Sequence, residues 1–124
     1  MQKILLTIGG VFQVLLGLFH VWLGWRIHHW SEVSVDARAL MAALNVGGIL
    51  FVFFFAYVSF FCKKELLSTG IGKAVLVLIL LMYLSRAAEE VLIFPGFSVP
   101  IFVVCVLVSG IYLVPLLVPA RPPI

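Results

Sequence analysis

Charged residues are scarce in this chain. Asp, Glu, Lys and Arg make up 10% of its 124 residues, whereas 65% of the residues are hydrophobic. A soluble domain of this size carries roughly 25% charged residues, which it needs to cover its surface. The composition therefore excludes a water-soluble globular protein and predicts one compact domain, residues 1–124, whose solvent is the lipid bilayer.

Other absences narrow the function classes further. The two cysteines, Cys62 and Cys105, have no CxxC spacing, which argues against a disulfide framework or a thiolate metal site. The formal charge of +3 is spread along the chain, so the clustered Lys and Arg of a nucleic-acid interface are missing. There is no phosphate loop, no dinucleotide fingerprint and no spacing typical of a Ser–His–Asp triad, so no catalytic residues are assigned.

Four apolar segments are long enough to cross a bilayer as helices, which takes about 20 residues. We predict spans at about 4–28, 39–62, 74–94 and 98–118. The third is the least apolar, because Arg86, Glu89 and Glu90 each cost about 2.5–3.5 kcal/mol at the bilayer centre. A surface helix or a re-entrant hairpin is the alternative for it, but its length and the stop signal Pro95-Gly96 favour a full span.

The distribution of Lys and Arg predicts the orientation. Lys3, Lys63, Lys64 and Lys73 lie at the N-terminus and in the second loop, and cytoplasmic loops carry an excess of such residues. We therefore predict an all-α, integral membrane four-helix bundle, up-down-up-down, with both termini cytoplasmic. The three tryptophans would form an aromatic belt at the outer interface. Compact loops favour a bacterial inner membrane.

Small and polar residues recur at helical spacing on three of the spans. Such a face lets helices approach closely in lipid, so it predicts the seam of the bundle. The seam comprises Gly10, Gln13, Gly17, His20 and Gly24 on the first helix, Asn45, Gly48, Val52, Phe55 and Ser59 on the second, and Cys105, Ser109 and Tyr112 on the fourth.

Five polar residues share one depth in the outer half of the membrane. With a rise of about 1.5 Å per residue, His20 lies about 24 Å from the inner end of its helix, and Arg86, Glu89 and Glu90 lie about 18–24 Å along theirs. Asn45 lies roughly 9 Å from the outer end of the second helix. Ionisable residues inside a membrane often mark ligand, ion or proton sites, so these five are the predicted ligand-binding residues. The alternative is that they only pair with one another to stabilise packing.

The chemistry of such a layer has several candidates. His20, His28 and Glu89 could ligate a metal ion, since imidazole and carboxylate suit zinc, iron or copper. Haem is a variant, although all three histidines belong to the first helix region and a dimer or another axial ligand would be needed. Arg86 with His20 and Asn45 could instead hold a carboxylate, a phosphate or a quinone oxygen.

Two further hypotheses concern transport and assembly. In length and helix number the chain is similar to the small multidrug-resistance exporters, which work as dimers and imply proton-coupled transport. That family uses a glutamate in its first helix, which this chain lacks, so His20 or Glu89 would have to replace it. The alternative to a ligand site is an accessory subunit of a larger membrane complex, whose polar layer pairs with helices of another membrane protein. Homodimerisation is compatible with both.

Overall fold

The structure, a computed structural model, describes residues 2–92, 96 and 98–118. Helices make up nearly all of this part of the chain. Their bounds are α1 Gln2–His28, α2 Val35–Phe61, α3 Lys63–Ser68, α4 Gly70–Leu92 and α5 Val99–Leu117. The predicted all-α fold is therefore confirmed.

Four of these helices, α1, α2, α4 and α5, are long and apolar enough to cross a membrane. Their outward faces carry large exposed hydrophobic side chains such as Leu15, Leu50 and Leu107, as expected where lipid is the solvent. The helix at the weakest predicted span is continuous through its three charges and begins at Gly70, before the predicted start at residue 74. Residues 93 and 94 of that predicted span lie outside the described residues.

A short helix, α3, occupies part of the predicted second loop, and the sequence analysis missed it. Its single buried apolar side chain, Leu66, is only 2% exposed. Thr69 forms the corner to α4, because its hydroxyl donates to Glu65 O over 2.7 Å and accepts the Gly72 N–H over 2.9 Å. At Gly72 an added Cβ would overlap the Glu65 carbonyl, so α3 lies directly against the start of α4.

The glycines of α1 bring α2 alongside it. An added Cβ at Gly10 would lie 2.8 Å from the Phe60 ring, and one at Gly17 would lie 2.6 Å from the Phe53 ring. The contacting residue number on α2 falls from 60 to 53 as that on α1 rises from 10 to 17, so the two helices are antiparallel. Close approach through small residues replaces the hydrophobic effect, which does not drive helix association in lipid.

Helix α5 packs on another part of α1. Gly9 leaves room for the Tyr112 ring, whose hydroxyl would lie 2.7 Å from a Cβ at that position. The Gln2 amide nitrogen donates to Val118 O over 2.6 Å, so the start of α1 lies beside the end of α5. Helices α4 and α5 complete a core that includes Leu76, Ile79 and Val108.

The predicted seam is confirmed by burial for most of its members. On α1, Gly10, Gln13 and Gly17 are buried, whereas His20 and Gly24, nearer the end of the helix, are only partly buried. The seam residues on α2 and α5 are likewise buried except for Gly48, which is partly buried. Helical periodicity therefore identified the inward faces.

Candidate functional site

Two of the predicted site residues, His20 and Asn45, belong to one contact between α1 and α2. The Asn45 amide nitrogen donates to the His20 backbone oxygen over 2.8 Å. The imidazole itself uses Nδ1–H to donate to Leu16 O, one turn back on its own helix, over 2.7 Å. His20 is partly exposed, so it is not the buried histidine that the sequence suggested.

Arg86 and Glu90 form a second contact, on α4. Arg86 Nη1 lies 2.8 Å from Glu90 Oε2, and the Glu90 side chain is almost completely buried. The other carboxylate oxygen accepts the Ser98 N–H over 2.8 Å. Glu90 therefore links the end of α4 to the residue that precedes α5, while Glu89 is only partly buried beside it.

A metal site is not shown. Among the residues that the structure describes, no group of three or more His, Cys, Asp and Glu side chains could hold a metal ion. His20, His28 and Glu89, the predicted ligands, are therefore not assembled into a metal centre. His28 is exposed, and its backbone oxygen accepts from Arg38 Nη1 over 3.1 Å.

A cavity that the sequence analysis did not identify lies where α1 ends beside α2. It has a volume of about 500 Å³. We call it the tryptophan groove, because all three tryptophans of the chain line it. Its lining consists of Trp22, Leu23, Trp25, Arg26, Ile27, His29, Trp30 and Met41.

Ring contacts order the polar groups of the tryptophan groove. The Arg26 guanidinium carbon lies 5.5 Å from the centre of the Trp22 ring, which is within the range of a cation–π interaction. The His29 and Trp25 ring centres are 4.8 Å apart, and His29 Nδ1–H donates to Trp25 O over 2.9 Å. The Arg26 guanidinium and the His29 imidazole therefore both lie against the aromatic surface of the groove.

The contact between His20 and Asn45 lies next to this groove. Asn45 is one helical turn from Met41, which lines the groove. An added Cβ at Gly24 would lie 2.9 Å from the Asn45 amide nitrogen, so the absence of a side chain there lets Asn45 reach α1. The structure therefore brings His20 and Asn45 together beside a groove that the sequence did not indicate.

No protein-family model, curated protein or solved structure matches the chain.

A second polar cluster lies in the interior of the bundle, and all four long helices contribute to it. The Tyr83 hydroxyl donates to Gln13 Oε1, and the Ser59 and Tyr112 hydroxyl oxygens are 2.5 Å apart. Gln13 Nε2 has no hydrogen-bond partner among the described residues, although its side chain lies close enough to interact with the Tyr112 hydroxyl. Three of these residues were assigned to the seam, but Tyr83 had no spacing signal that could have identified it.

Proposed function

We propose that this protein crosses a membrane four times and holds an amphiphilic ligand in the tryptophan groove. The observation that carries the proposal is the groove itself. Its volume of about 500 Å³ falls within the range of roughly 300–1,000 Å³ found for small-molecule sites. It also has the usual composition of such sites, a mainly apolar lining with a few polar groups that can fix a ligand's orientation.

The proposed orientation places the groove on the outer side of the membrane. In an up-down-up-down arrangement with cytoplasmic termini, Lys63, Lys64 and Lys73 face the cytoplasm, as the positive-inside rule requires. The turn between α1 and α2 then faces outwards together with the tryptophans. Indole rings prefer this interfacial depth, where a ligand with an apolar tail and a polar headgroup would also lie. The compact loops favour a bacterial inner membrane as the location of this bundle.

The predicted site residues take different places in this proposal. We propose that His20 and Asn45 hold α1 and α2 together next to the groove, and that Arg86 and Glu90 fix the connection to α5. Direct contact of these four residues and Glu89 with a ligand stays a prediction.

Native mass spectrometry tests the proposal. Protein released from mild detergent is expected to retain one lipid-sized adduct, and Trp25→Ala should lose it, because Trp25 supplies part of the groove wall. Tyr57→Ala removes an exposed aromatic side chain of α2 that does not line the groove, so this control variant should keep the adduct. Equal retention by the two variants, or no adduct on the wild type, would contradict the proposal.

The alternative function, an accessory subunit of a larger membrane complex, has one supporting observation. Ala43 and Gly47 lie four residues apart on α2, and a Cβ at Gly47 would meet nothing within 4 Å. Small residues at this spacing allow a second helix to approach closely. A second polypeptide retained in the same mass spectra, in place of a lipid, would favour this alternative.

A further inference from the structure

We infer that the ligand of the tryptophan groove is an anionic phospholipid whose phosphate pairs with Arg26. This inference rests on the proposed function and adds the chemical class of the ligand. It depends on the charge balance of the groove, on the way Arg26 is held, and on the apolar surface that continues below it.

No carboxylate of the described residues neutralises the charge of Arg26. The side chain is exposed and forms no ion pair with any residue of the described ranges. Two acidic residues, Glu32 and Asp36, lie at the same end of the bundle, and neither is within ion-pair distance of it. An anion entering the groove would therefore meet a cation for which no described carboxylate competes.

The position of Arg26 above Trp22 also favours a phosphate. Stacking on the indole restrains the guanidinium, so less side-chain entropy is lost when it binds. The planar group presents parallel N–H donors that match two phosphate oxygens. Aromatic surfaces of this kind also bind quaternary ammonium groups, but here the guanidinium already occupies the Trp22 face and would repel a second cation.

The apolar part of a phospholipid has a continuous surface to follow. Below Trp22 the exposed face of α1 continues through Phe19, whose ring centre lies 5.8 Å from that of Trp22, and then Leu15. The described residues leave much of both side chains uncovered, since Phe19 and Leu15 are 44% and 58% exposed. An acyl chain lying along them would place its headgroup at the level of Arg26.

The three tryptophans provide the assay, because every tryptophan in the chain lines the groove. The protein would be reconstituted in vesicles of fixed phosphatidylglycerol and phosphatidylcholine content. Bromine, which quenches indole fluorescence on contact, would be placed on the acyl chains of one lipid or of the other. The wild type should show stronger quenching when phosphatidylglycerol carries the bromine, with about a fivefold preference, the ratio that corresponds to about 1 kcal/mol per basic residue at a membrane surface.

Variants separate the inference from general electrostatics. Arg26→Gln should abolish the preference. Arg38→Gln removes the same charge at the same end of the bundle, together with the hydrogen bond to His28 O, and should retain the preference because Arg38 does not line the groove. Arg26→Lys should give an intermediate preference, because it keeps the charge and loses the planar donor pair. Circular dichroism spectra would establish that each variant is folded.

Two outcomes would overturn the inference. One is equal quenching by the two brominated lipids in the wild type. The other is a preference that Arg26→Gln leaves intact or that Arg38→Gln removes equally. In both cases the adduct lost from Trp25→Ala would still support a ligand in the groove, so failure of the inference is distinguishable from failure of the proposed function.

Discussion

Gly72 and Gly70 stand two residues apart at the start of α4, and alanine is expected to have opposite effects at these positions. At Gly72 a methyl group would overlap the Glu65 carbonyl and would lie 2.6 Å from Leu66 Cα, so the obstacle is backbone of α3. At Gly70 a methyl group would meet nothing within 4 Å. Neither glycine has a positive φ, so conformational preference does not separate them.

The magnitude follows from the movement that alanine would force. The new Cβ would lie 1.9 Å from Glu65 O, and an ordinary contact needs 3.4 Å or more, so α3 must move away from α4 by about 1.5 Å. That movement exposes Leu66 and strains the hydrogen bonds at Thr69. Overpacking against a rigid neighbour typically costs about 1–3 kcal/mol, which is the loss of unfolding free energy expected for Gly72→Ala. Gly70→Ala should be neutral or stabilising by about 0.4–1 kcal/mol, because it only restricts the unfolded chain.

The measurement is unfolding by titration with SDS in mixed micelles, followed by far-ultraviolet circular dichroism. Gly70→Ala serves as the matched control, since it changes the same residue type in the same turn. A Gly72→Ala protein as stable as Gly70→Ala would refute the packing of α3 on α4 described above.

Two further predictions use the same titration. A double-mutant cycle of Ser59→Ala and Tyr112→Phe should give a coupling energy of about 0.6 kcal/mol and at most about 1.7 kcal/mol, as for other hydrogen bonds between membrane helices. The control Tyr57→Phe, on the exposed face of α2, should change the unfolding free energy by less than about 0.5 kcal/mol. Additive effects of Ser59→Ala and Tyr112→Phe would argue against their hydrogen bond. Glu90→Ala should lower the unfolding midpoint more than Glu89→Ala, because only Glu90 both pairs with Arg86 and accepts the Ser98 N–H. The reverse order would show that the Glu90 carboxylate does not stabilise the connection between α4 and α5.

The sequence predicted the long helices well, since each contains a run of about 20 apolar residues and the bilayer demands that length. It missed α3, because Lys63–Ser68 is short and four of its six residues are charged or polar. Only tertiary contact, the burial of Leu66 against α4, makes a helix of that length stable. Such contact is not readable from local composition.

The sequence placed the five candidate residues in one layer and offered pairing among them as the alternative, but it did not identify the groove. Rise per residue placed His20, Asn45 and Arg86 in one layer, yet the rotation of each helix and its distance from its neighbours decide which side chains meet. Asn45 accordingly bonds the backbone of His20, and Arg86 bonds Glu90 on its own helix. The tryptophan groove was beyond the sequence analysis for the same reason, since its shape depends on how the end of α1 lies beside α2.

The hydrogen bond from Tyr83 to Gln13 has a consequence for the order of events during synthesis. The two residues are 70 positions apart. At a synthesis rate of about 5–20 residues per second, Gln13 precedes its partner by roughly 4–14 s. A buried amide oxygen without a donor is costly in hydrocarbon, so Gln13 gains this hydrogen bond only once α4 has been made. The interior of the bundle can therefore be completed only after most of the polypeptide has been made, although the first helix is the first to be synthesised.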